Sequence, residues 1–120
     1  MPFDFLLNEL PDSVKIVPAI GMFYIYFGGK NVLIFRKTGK SPQHNGIWIS
    51  TKREYHTSLK ADIPAITDFT FDHSTETDWL LLSDTHDDFE SAAIQLCELV
   101  AGKDKRIGKI TPKSAALFQL

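Results

Sequence analysis

The chain has 120 residues, 43% of them hydrophobic and 23% charged, the composition of one globular domain long enough to bury a sizeable core. Its single cysteine, Cys97, excludes a disulfide framework and a multi-cysteine zinc site, while a net charge of −2 favours neither an anionic nor a cationic partner. The start, MPFDFLLNEL, lacks the basic front of a secretory signal, and the longest apolar stretch, residues 16–27, is broken by Pro18 and Gly21. It falls short of the roughly 20 residues that cross a bilayer, so a cytoplasmic protein with no membrane association is expected.

In chain order, FDFLLNEL predicts a short amino-terminal helix with Asp4 in its first turn and Pro11 as its stop. VKIVP (14–18) adds a strand. MFYIYF (22–27) and NVLIFR (31–36) are aromatic and β-branched, and Gly28, Gly29 and Lys30 between them predict a hairpin whose turn needs positive φ. GIWIS (46–50) follows as a strand after the loop KTGKSPQHN. Thr51 and Glu54 have the spacing of a capping box, which predicts a thinly amphipathic middle helix through about Ala61, closed by Pro64. ITDFTF (66–71) and DWLLLS (78–83) read as strands joined by a turn at DHSTET. Phe89, Ala92, Ala93, Leu96 and Val100 then repeat at helical spacing up to Gly102, with a second box at Thr85 and Asp88.

These elements predict an α+β fold: a single antiparallel sheet of about five or six strands, with an amino-terminal helix, a middle helix and a long amphipathic C-terminal helix packed on one face. Residues 1–102 form one domain. Residues 103–120 read as a basic tail that Ile107, Ile110, Leu117 and Phe118 are able to dock on the body.

The opening FDFLLNELP, the hairpin MFYIYFGGKNVLIFR, the segment REYHTSLKADIPAI, the strand DWLLL and the helix FESAAIQLCELV together resemble the bacterial YjbR/MmcQ-like proteins and the related amino-terminal domain of TfoX-type competence regulators. The resemblance covers most of the chain. It implies a small α+β domain of a type for which DNA binding has been proposed, without enzymatic activity. The Met-Phe-Gly-Gly turn of TfoX-type domains is replaced here by Met22, Phe23, Tyr24 and Ile25, and no functional residue carries over.

Charge is sorted along the sequence. Residues 30–60 carry +6, residues 61–102 hold ten carboxylates and no Lys or Arg, and residues 103–120 carry +4. The first basic block interleaves Arg36, Lys37, Lys40, Lys52 and Arg53 with Trp48 and Tyr55 and offers His44 and Asn45 on a loop; Lys105, Arg106 and Lys109 in the second block extend the set. Such cations suit phosphates, which makes these residues the candidate nucleic-acid or anion site. Trp48 alternates with Ile47 and Ile49, so it is exposed if they face inward and part of the core if they do not.

The remaining chemistry-bearing residues read structurally. His44, His56, His73 and His86 do not cluster, and the acids around His86 fit a helix start better than a metal site. Cys97 sits beside the core position Leu96 and reads as buried filler. GGKN lies between two strands and therefore is not a phosphate loop. No metal, cofactor or catalytic group is expected. The leading expectation is a non-enzymatic nucleic-acid-binding domain; the alternative is a protein-interaction module of the immunity or adaptor kind that meets a basic partner through the acidic stretch.

Overall fold

Residues 1–71 and 75–119 are described by a computed structural model, the side chains of residues 70–77 excepted. Six antiparallel strands form one sheet: β1 (Lys15–Ala19), β2 (Met22–Phe27), β3 (Lys30–Arg36), β4 (Gly46–Ile49), β5 (Thr67–Phe71) and β6 (Thr75–Ser83), in the order β1-β2-β3-β4-β6-β5. The α+β class and the single antiparallel sheet are as the sequence predicts. Strand β6 sits between β4 and β5, which places β1 and β5 at the edges. The β2–β3 turn is the predicted one: Phe27 pairs with Lys30 across Gly28 and Gly29, whose φ values of 61° and 81° belong to a hairpin turn closed to most other residues.

Alternation along the strands splits the core in two. Ile25, Leu33, Phe35, Ile47, Ile49, Leu80 and Leu82 point to one face. They pack under α1 (His56–Asp62) through Leu59 and under α2 (Phe89–Ala101) through Phe89, Ala92, Ala93, Leu96, Cys97 and Val100. The helical repeat in the sequence is therefore the buried stripe of α2. On the other face Ile34, Trp48, Phe69 and Leu81 form a second cluster, flanked by the half-buried Met22, Tyr24 and Trp79. No helix among the described residues is long and apolar enough to cross a membrane.

The helices differ from expectation in several places. The amino-terminal helix is a single 3-10 turn, Asp4–Leu6, because Phe3 enters in the left-handed region and turns its ring onto Phe35 and Phe89, and Leu6 and Leu10 are drawn into the core. The Thr51 capping box does not form. Thr51 is buried, and its hydroxyl donates to the Arg106 carbonyl at 2.6 Å, so the chain passes through a 3-10 turn (Arg53–Tyr55) before α1 begins. At α2 the Thr85–Asp88 box is also absent. The Asp88 side chain caps nothing; instead the Asp88 amide donates to His86 Nδ1.

The C-terminal helix is not the long α2 but a third, seven-residue helix, α3 (Pro112–Phe118). Its capping box is complete: the Ser114 amide donates to the Thr111 hydroxyl at 3.0 Å, and the Thr111 amide donates to Ser114 Oγ at 2.7 Å. Between α2 and α3 the chain runs beside the start of β3. Asn31 and Lys109 exchange backbone hydrogen bonds at 2.9 and 3.0 Å, Gly108 donates to the Ser50 carbonyl, and Ile107 is buried. Farther on, Lys15 donates to the Leu117 carbonyl and lies over the Phe118 ring. Of the expected turn DHSTET, residues 72–74, with His73, lie outside the described residues, and residues 75–77 belong to β6.

Candidate anion-binding cleft

Strand β3 sorts the basic residues to its two ends. Arg36 closes the strand and Lys30 opens it, so at roughly 3.3 Å per residue the groups around them are about 20 Å apart. The Arg36 end is an internally satisfied loop. Arg36 Nη1 donates to the Ser41 carbonyl and to Asn45 Oδ1, both at 2.9 Å, and Nη2 donates to the Lys40 carbonyl at 2.7 Å. The buried Asn45 also accepts from the Thr38 amide and donates to the Thr38 carbonyl. Lys37 pairs at 2.6 Å with Asp84, whose side chain is only 7% exposed. Lys40 is exposed. Arg36 and Asn45 thus hold the loop's shape, and their polar atoms are turned inward.

Trp48 is not available as a stacking surface. Ile47 and Ile49 do face the helices, but Phe69 at 4.6 Å and Trp79 at 6.3 Å cover the indole, leaving it 8% exposed. Its Nε1 donates to the His44 carbonyl, and the His44 ring packs edge-on to Phe69. Both faces of the sheet are occupied here, which alternation along one strand does not reveal.

At the Lys30 end the two basic blocks meet. Lys30, Lys52, Tyr55, Lys105, Arg106, Gly108, Lys109 and Ile110 line a cleft of about 410 Å³. One wall is the turn that leads into α1; the other is the segment held against β3 by the Asn31–Lys109 bridge. Four of the sequence-predicted residues, Lys52, Lys105, Arg106 and Lys109, line it together, and Arg53 is joined to it through Asp78, which pairs with both Arg53 (3.4 Å) and Lys109 (2.9 Å). Arg36, Lys37, Lys40, His44, Asn45 and Trp48 do not line it.

The cations of the cleft fall into two kinds. Arg106 is committed: its Nε and Nη2 grip both oxygens of Asp104 at 2.9 and 2.7 Å, Nη2 also reaches Asp62 at 2.8 Å, and Nη1 donates to Ser58. The hydrogen bonds from Arg106 hold the Asp104 carboxyl below the usual carboxylate range, and those to Asp104 and then Asp62 push the guanidinium further up. Lys109 does the same for Asp78, whose carboxyl is lowered mainly by that hydrogen bond. Lys30, Lys52 and Lys105, by contrast, enter no ion pair among the described residues. Three ammonium groups outside any ion pair on one concavity are a standing attraction for an anion. Lys30 escapes a reading by spacing because it looks like a turn residue; only its place in the +6 block signals it. Tyr55 is visible beside the cations but has no motif to mark it.

The other chemistry-bearing residues do not assemble. Cys97 is fully buried, and burial pushes its thiol up to about 12, far from a nucleophilic thiolate. His56 donates to the Asp78 carbonyl at 2.9 Å. No group of three or more His, Cys, Asp or Glu among the described residues is placed to hold a metal ion. In comparison with known proteins, no family model, no curated protein and no solved structure matches the chain.

Proposed function

We propose that this chain is a non-enzymatic binding domain that holds nucleic-acid phosphates in the cleft between the 52–55 turn and residues 105–110. The observation that carries the reading is the convergence of Lys30, Lys52 and Lys105, all without ion-pair partners, on a single concavity. The Arg36 end of β3 contributes shape and no contact. The resemblance to the YjbR/MmcQ-like and TfoX-type domains points to the same ligand class. We take the working compartment to be the cytoplasm, in keeping with one free, buried cysteine.

The test is an amide NMR titration with a short oligonucleotide at low and at physiological salt. Shifts should concentrate at residues 30, 52–55 and 105–110 and fade as salt rises, because phosphate binding releases counterions. In the Lys52→Glu/Lys105→Glu double variant they should vanish without loss of amide dispersion. Equal binding by that variant would refute the cleft, and an absence of shifts at low salt would refute the ligand class.

The acidic stretch supports a basic protein partner less well. Asp62, Asp68, Asp78 and Asp84 are already paired with Arg106, Lys60, Lys109 and Lys37. Asp87, Asp88 and Glu90 at the start of α2 are placed where the helix dipole favours negative charge.

A further inference from the structure

We infer that the cleft recognises one nucleotide of a single strand, its phosphate held by Lys30, Lys52 and Lys105 and its base stacked on the ring of Tyr55. The inference rests on the phosphate-binding reading above and narrows it.

Size and charge argue against a duplex. A volume of about 410 Å³ lies in the range of sites for small ligands, roughly 300–1,000 Å³. A duplex carries a charge every ~1.7 Å along its axis and calls for a broad basic surface. Around this cleft the outer cations are neutralised. Asp62, Asp78 and Asp104 stand beside Arg106 and Lys109, so a duplex laid across the opening would bring phosphates against carboxylates. The lining cations outside any ion pair among the described residues are Lys30, Lys52 and Lys105, and the attraction centres on them.

Tyr55 supplies what a base needs. Tyr55 packs against the main core and also lines the cleft, which sets a half-buried aromatic side chain among the lysines. The turn that carries it is closed by the Tyr55 amide donating to the Lys52 carbonyl at 2.9 Å, which sets the backbone of Tyr55 relative to Lys52. The exposed Ile110, also on the lining, adds an apolar contact. An aromatic platform next to unpaired cations is the arrangement by which proteins bind single strands without reading their sequence.

The experiment measures binding of the unaltered protein to a short single strand, to the duplex of the same sequence, and to the same strand with abasic sites, which keep the phosphates and lack the bases. The intact single strand should bind about tenfold tighter than the abasic one, the size of one stacking contact, and tighter than the duplex. The slope of log K against log salt should be about −0.7, the value for one phosphate neutralised on a single strand. Tyr55→Phe should bind as the parent does, and Tyr55→Ala about tenfold more weakly; if Tyr55→Ala fails to fold, the abasic comparison decides. Equal affinity for intact and abasic strands, or a duplex bound as tightly as the single strand, overturns the inference while leaving the phosphate reading intact if Lys52→Glu/Lys105→Glu still abolishes binding. No binding of any strand at low salt overturns both.

Discussion

Gly46 and Thr51 show how much of this fold is decided by single buried atoms. Gly46 opens β4 at φ 134°, and a β-carbon there would sit 2.1 Å from the Leu82 carbonyl oxygen on the neighbouring strand. Backbone cannot yield as a side-chain tip would, so Gly46→Ala should cost about 3 kcal/mol, combining overpacking with a disfavoured φ. A fall in urea midpoint at unchanged m-value would show it, and an unchanged midpoint would contradict it. Thr51 follows the same logic in reverse. Its local pattern spells a helix cap, yet the Arg106 carbonyl, 55 residues away in sequence, takes the hydroxyl of the buried Thr51. Trp48 was undecidable from alternation for a related reason: what covers it comes from Phe69 and Trp79, on other strands. Residue roles that depend on distant partners leave no trace in local spacing.

Elements were more legible than residues. Five strands match the segments predicted for them to within a residue at either end, β6 reaches back to Thr75 into the expected turn, and α2 matches its helical repeat, because most of these elements bury a face that composition records. The short helices have too few turns for a period to emerge. α3 is the clearest case: Thr111, Pro112 and Ser114 carry its start signal, but no repeat follows. That cap is the main local support the helix has. Thr111→Ala should therefore cost about 1 kcal/mol and speed amide exchange over residues 113–118 while leaving the sheet protected. Slowed exchange, or loss of protection in β2 and β3 as well, would show that α3 is held in some other way.

At the scale of the molecule part of the sorted charge of the sequence is re-paired. Acids of the middle stretch reach cations of both basic blocks, and three of the lysines left outside these ion pairs, Lys30, Lys52 and Lys105, line the cleft. This pairing was the least legible feature, since charge order along a chain does not determine which blocks become neighbours. It sets the response to acid. Asp104 and Asp78 have folded-state pKa values below their ordinary 3.8, so their stabilisation is complete above that value and is lost as pH falls through it toward the lowered one. Tm should be nearly flat from neutral pH to about 5 and fall below about 4; the gap between the parent and Arg106→Met should narrow over the same window. A gap that stays constant into acid would mean that Arg106 acts by packing alone. The bridge between Asn31 and Lys109 bears on synthesis as well. Lys30 and Lys52 leave the ribosome early, but the opposite wall does not exist until residues 105–110 have been made and laid against β3. A nascent chain thus completes every strand before the cleft exists, and Lys30 and Lys52 meet Lys105 only once the segment after α2 has been made.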